Sequence, residues 1–211
     1  MRILIACEES QTIANAYRKM GREAYSCDIL PCSGGHPEYH ILNDAITEAY
    51  SGNYDLMIAH PPCTYLAVSG NRWLYNKNGS KNTERWANRK LALEFVQKLM
   101  DAPIEKIAIE NPISVISSQI RKPDQIVHPY MFGDKASKST CFWLKNLPPL
   151  IPTNIVDKGE FVEFISKKGK KKRQAKWYYD ALSTAKTTEE RRKLRSKTFP
   201  GMANAIAQQW V

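Results

Sequence analysis

An α/β fold with a doubly wound, mostly parallel sheet is what this sequence predicts, on three observations. Short apolar runs at 2–6, 23–27, 54–59 and 104–109 alternate with helix-patterned stretches, the arrangement that builds strand–helix–strand units. Two of those runs end in reactive residues: Tyr54–Ala59 leads into His60-Pro61-Pro62-Cys63-Thr64, and Ile104–Ile109 leads into Glu110-Asn111-Pro112. Strand C-termini in an open parallel sheet face the ligand crevice. Finally, 211 residues suffice for one packed domain and a small insertion.

Each element has its own signal. Arg2–Ala6 reads as a buried first strand rather than a signal peptide, since acidic residues follow it and no small-residue cleavage site does. Gln11–Met20 is helical in pattern, with Ser10 as N-cap and Gly21 as C-terminal stop. Glu23–Cys27 is a second strand closed by Asp28. An acid there is placed to hold a ribose hydroxyl pair, although the glycine fingerprint is replaced by Cys7-Glu8-Glu9-Ser10. Asn43 or Asp44 caps a short helix reaching about Tyr50. The stretch 64–82 is a polar, aromatic loop without structure of its own, a lid or binding loop. Thr83 opens an amphipathic helix with Ala87, Leu91, Phe95 and Leu99 on one stripe. From Pro112 to Tyr130 a short helix and a loop are expected, and Ser139–Leu144 reads as a hairpin strand. Leu147–Pro152 marks a composition break. Residues 153–190 form a basic insertion, and a last helix from Pro200-Gly201 aligns Met202, Ile206 and Trp210.

Composition narrows the function classes. No apolar run approaches the ~18 residues of a membrane span, so no membrane role is expected. Five cysteines, an odd number, read as reduced thiols of a cytosolic protein. A net charge of +10 suits a polyanionic partner such as DNA. The lysine run with Lys168, Lys170, Lys171, Lys172 and Arg173, followed by Trp177-Tyr178-Tyr179, is the expected backbone contact, together with Arg72 in the aromatic loop. No metal site is expected: Cys27, Cys32 and His36 lack a fourth ligand. The His36-Pro37-Glu38…Pro62-Cys63 pattern would need a cysteine where Leu66 stands to match a zinc deaminase.

A cysteine and a glutamate on neighbouring strand ends suit addition to a pyrimidine ring. Thiolate adding to carbon 6 makes carbon 5 nucleophilic, and a carboxylic acid donates a proton at nitrogen 3. Pro61-Pro62 would present Cys63 from a stiff, non-helical turn. With these motifs in order, the chain resembles the DNA cytosine-5 methyltransferases, in particular the small type of bacteriophages and restriction-modification systems. Pro62-Cys63 matches the family's nucleophile after the fourth strand. Glu110-Asn111-Pro112 matches its Glu-Asn-Val, Asp28 its ribose-binding acid, Asn43-Asp44 its Gly-Asp pair, and Gly201–Ala205 its final motif.

The resemblance implies a Rossmann-like methyltransferase domain at 1–150 plus 195–211 and a reduced target-recognition region at 151–194. It implies that S-adenosylmethionine is held by Cys7, Glu8, Glu9, Ser10, Asp28, Ile29, Asp44, Pro61 and Asn204. Catalysis falls to Cys63 and Glu110, with Lys138 replacing one arginine of the family's Gln-Arg-x-Arg motif. The expected protein is a cytoplasmic monomer acting on DNA. Alternatives are an exocyclic-amine DNA methyltransferase, a cytosine-5 alkyltransferase using a modified donor, and a catalytically silent DNA-binding protein.

Overall fold

Side-chain alternation along the strands divides the interior into two layers. The computed structural model describes residues 1–166 and 169–211. The chain runs β1 (Arg2–Ala6), α1 (Thr12–Lys19), β2 (Glu23–Asp28), β3 (His40–Leu42), α2 (Ala45–Ala49), β4 (Leu56–Ala59), α3 (Thr83–Met100) and β5 (Lys106–Asn111). It continues through α4 (Ile116–Gln119), β6 (Gln125–Val127), β7 (Thr140–Lys145), β8 (Phe161–Ile165), β9 (Lys171–Ala175), α5 (Lys176–Thr184), α6 (Thr188–Ser196) and α7 (Pro200–Gln209).

Among the described residues, seven strands pair in the order β3-β2-β1-β4-β5-β7-β6, and β8 pairs with β9 in a separate hairpin. The first five run parallel and β7 runs antiparallel to both β5 and β6. The chain works outward from β1 to β3, then restarts on β1's other side with β4, which makes the β1/β4 boundary a switch point. Ile3 and Ile5 face one layer with α1 and α7; Leu4 and Ala6 face the other with α2 and α3. α7 closes the first layer: the Tyr17 hydroxyl lies 2.8 Å from the Trp210 carbonyl and 3.3 Å from that of Ile206.

Several expectations are corrected. Ser10 does not cap α1; the buried carboxylate of Glu8 accepts the Ile13 and Ala14 amides, at 2.8 and 3.2 Å, and serves the helix start instead. On α3, Ala87 and Leu91 are exposed, while Arg89, Val96 and Leu99 are buried and Ala92 and Phe95 partly so. A strict four-residue stripe drifts around a helix of 3.6 residues per turn, so packing selected mixed three- and four-residue steps. That helix does begin at Thr83, and Asn82 caps it by accepting the Arg85 amide. The 64–82 loop contains a short 3₁₀ turn, Val68–Leu74, anchored by buried Arg89, which donates to the Tyr65 carbonyl and to Asn71 Oδ1. β6 was not expected at all; its three residues are too few to show a period. The insertion is folded, as the β8–β9 hairpin with α5 and α6.

Gly201 lies at the α7 start, where an added Cβ would collide with the Phe132 carbonyl and the Asp134 carboxylate that receives the Gly201 amide. Gly201→Ala is expected to destabilise the fold by about 1–3 kcal/mol, the usual range for overpacking, as measured by urea unfolding.

Candidate active site at the strand ends

Parallel register sets the site's geometry. Ala6, Cys27, Ala59 and Ile109 stand in one row across β2, β1, β4 and β5, so the chain leaves all four strands at one level. The turn after β4 carries His60, Pro61, Pro62 and Cys63; the last residues of β5 are Glu110 and Asn111. Buried Asn111 donates from Nδ2 to the Pro61 carbonyl at 2.8 Å and ties the two ends together. The Leu66 and Ala67 amides donate to the Cys63 carbonyl, which fixes the turn from its other side.

His60 Nδ1 lies 3.3 Å from Glu110 Oε2, with the two side chains 15% and 14% exposed. The opposite imidazole nitrogen, Nε2, is enclosed and has no hydrogen-bond partner among the described residues. Burial pushes the Glu110 carboxyl up, but the His60 hydrogen bond, the Lys138 charge and the His60 charge outweigh it and hold the group below its ordinary value. The Cys63 thiol is pushed above its ordinary value, first by burial and then by the Glu110 charge; Arg195 and Lys138 act against that shift. At rest, therefore, the pair is an ionised carboxylate beside a protonated thiol.

A cleft of about 240 Å³ opens against the same prolines, lined by Cys7, Asp28, Ile29, Asp44, Ala45, Pro61, Pro62, Tyr65, Ala92 and Phe95. Five of the nine residues assigned to a cofactor meet there: Cys7, Asp28, Ile29, Asp44 and Pro61. The other four do not line it. Glu8 is committed to α1, and Glu9 accepts from the Ser33 hydroxyl and pairs with Lys193 at 3.7 Å. Ser10 bonds to the Thr12 hydroxyl, and Asn204 is exposed on α7. Asp44 Oδ1 caps α2 through the Ile46 and Thr47 amides. Cys7 and Gln11 both adopt left-handed backbone, at φ 59° and 55°, so the first turn takes a glycine-like path without glycine. A larger hollow of about 550 Å³ lies beside α3 and β7 and contains no cysteine or histidine.

Lys138 donates to the Lys197 carbonyl at 3.1 Å, placing the end of α6 against the segment before β7. Arg195 was not foreseen from the sequence, where spacing carries no signal for it. Asn111 was given no role either, though it stands within the Glu-Asn-Pro motif. Arg72 stacks over Trp73 at 4.5 Å, with the indole 53% exposed. Lys170, Lys171, Lys172 and Arg173 are exposed on and beside β9, and Lys168 lies outside the described residues.

No protein-family model matches the chain, and no curated protein sequence matches it. One similar solved structure is that of a protein proposed to be a DNA modification methyltransferase encoded within a prophage (E. coli). The two share 12% identity with a TM-score of 0.46, over 86% of this chain and 64% of that one. This chain thus spans less than two thirds of that protein's length. No helix among the described residues is long and apolar enough to cross a membrane.

The electrostatics give a signed expectation. Glu110 titrates low when folded, so its contribution to stability is present above the unfolded carboxyl's pKa and is lost as pH falls through the folded value. In His60→Ala the largest opposing influence disappears and burial raises the carboxyl. The variant should lose more thermal stability near neutrality than in mild acid. Carboxyl NMR of Glu110 should show an upward shift.

Proposed function

We propose that this protein is an S-adenosylmethionine-dependent DNA methyltransferase that uses Cys63 to activate cytosine and methylates its carbon 5. One observation supports this above the others. The two-proline turn that leads into Cys63 also lines a nucleoside-sized cleft, and Asn111, next to Glu110, is bonded to that turn.

The residues of the cleft fit the donor. Asp28 stands at the β2 end, where an acid accepts ribose hydroxyls, and Ile29, Ala45 and Phe95 offer apolar surface to a flat base. The volume lies just below the ~300 Å³ at which ligand clefts usually begin, consistent with a nucleoside moiety held and the rest reaching toward Pro61. When bound, the donor supplies an electrophilic methyl group.

This chain's own residues do the remaining work. The target base leaves the duplex, at a cost of a few kcal/mol, and enters between Cys63 and Glu110. Glu110, ionised at rest, receives the thiol proton and passes it to ring nitrogen 3 as sulfur bonds to carbon 6. Once carbon 5 carries the methyl group, Glu110 takes back the nitrogen 3 proton, carbon 5 gives up its own hydrogen to water as a proton, and sulfur leaves carbon 6 as the thiolate, restoring the ring. That sequence uses both shifts: the carboxylate is free to act as base first, and becomes an acid once the ring has displaced water. His60 orients the carboxylate from 3.3 Å. Arg72 with Trp73, and the basic face of β9, grip phosphates on either side, with the insertion as a small target-recognition region.

DNA containing 5-fluorocytosine should form a denaturant-stable adduct at Cys63, and Cys63→Ala should abolish both the adduct and methyl transfer. Methyl groups found by nucleoside mass spectrometry on an exocyclic amine instead of carbon 5 would overturn the assignment. The triple variant Lys171→Gln, Lys172→Gln, Arg173→Gln should bind DNA more weakly, its log–log salt slope flattening by about 0.9 for each phosphate no longer neutralised.

A further inference from the structure

We propose that the 64–82 loop and the first turns of α3 form a stacking platform for an unpaired nucleic-acid strand, so that the protein takes its cytosine from single-stranded rather than intact duplex DNA. The proposal deepens the reading above, and rests on it for the strand being a substrate. This surface is joined directly to the Cys63 turn. The Arg85 guanidinium donates to the Thr64 carbonyl at 3.1 Å, and Arg89 Nε donates to the Tyr65 carbonyl at 2.9 Å. Leu66 and Leu74 are buried and pin the loop to the core. The Asn82 amide donates to the Leu74 carbonyl at 2.9 Å and closes a small hairpin in which Tyr75 bridges Lys81. A strand lying on this loop therefore lies beside Cys63.

The backbone is held, yet the rings it carries are left open. Trp73 is 53% exposed, Tyr75 49% and Trp86 38%. Tyr75 and Trp86 meet edge-on at 6.4 Å, and Arg72 lies over the Trp73 ring at 4.5 Å. Clustered exposed aromatics mark a binding surface, and charge says what binds. From 64 to 90 the chain carries the cations Arg72, Lys77, Lys81, Arg85, Arg89 and Lys90 against one acid, Glu84. Among the described residues, Lys90 alone of the six forms a salt bridge, with Glu94 at 3.7 Å. An apolar partner would cover the rings and leave the other five cations unneutralised. A polyanion that carries flat rings answers both, which is the chemistry of a nucleic-acid strand. In a duplex each base face is covered by its neighbours, whereas an unpaired strand offers those faces to an indole or a phenol. A base already unpaired also spares the cost of unstacking.

The test uses strands without cytosine and no methyl donor, so its outcome is separate from whether, or on which atom, methyl transfer occurs. By fluorescence anisotropy at one salt concentration, the protein should bind labelled oligothymidine more tightly than a thymidine–adenosine duplex of equal length. Trp73→Ala should weaken oligothymidine binding by roughly tenfold, as loss of a stacking ring does, and should weaken binding of the duplex and of an abasic strand by much less. If Trp73→Ala folds poorly, Trp73→Phe keeps a ring. It should retain most of the affinity and lose the share of tryptophan quenching by oligothymidine that Trp73 contributes. Duplex binding as tight as that of the single strand would overturn the proposal. So would wild-type affinity in Trp73→Ala, an equal loss on the abasic strand, or undiminished quenching in Trp73→Phe. A dimer seen by sedimentation, dissociated by Trp73→Ala while strand binding persists, would also overturn it, since a second copy would then cover the ring.

Discussion

Parallel pairing of β4 with β5 puts Ala59 opposite Ile109, so both strands release the chain at one height. A proline carbonyl then needs a donor in a place where no ladder continues, and Asn111 supplies it from the end of the neighbouring strand. That buried bond fixes the direction in which the turn leaves. The rest of the site inherits it: the approach of His60 to Glu110, the half-buried position of Cys63, and the place of the same prolines in the lining of the cleft. A slip of one residue in the β4–β5 register would point Glu110 at the opposite layer.

The electrostatics of the site follow from enclosure. Glu8, Glu110, Cys7 and Cys63 are all withdrawn from water, and in each the neutral form is favoured by burial. Of these four, Glu110 alone ends below its ordinary value, because His60 and Lys138 converge on it. Glu8, equally enclosed, is turned to the α1 amides and titrates high in spite of them. Two carboxylates on strand exits of one sheet thus have opposite characters, one raised and bonded to a helix start, the other lowered and bonded to His60. The difference lies in their partners rather than in their burial.

Legibility in the sequence followed periodicity. β1, β2, β4, β5 and α7 were readable because their apolar residues recur at fixed intervals. β6, three residues long, carries too little pattern, and on α3 the expected stripe held at Phe95 and Leu99 but not at Ala87 and Leu91. At the site, Cys63, Glu110 and Asp28 stood out because they close apolar strands. Glu8 is bonded to the α1 amides and does not line the cleft, a difference the sequence hides because a carboxylate in a first turn looks the same whether it serves a ligand or a helix start. Asn204 stands exposed on α7 and does not line the cleft.

The amino-acid order by itself determined the α/β character, the strand ends that bear reactive groups, the basic insertion and the absence of any long apolar span. These are local properties, set by alternation, capping and charge along a few neighbouring residues. Tertiary structure alone decided that five of nine candidate residues share one cleft, that His60 clasps Glu110, and that Asn111 bonds to the Pro61 carbonyl. Pairings such as His60 with Glu110, 50 residues apart in the chain, leave no periodic trace, because each depends on how separate elements dock rather than on the spacing within any one of them.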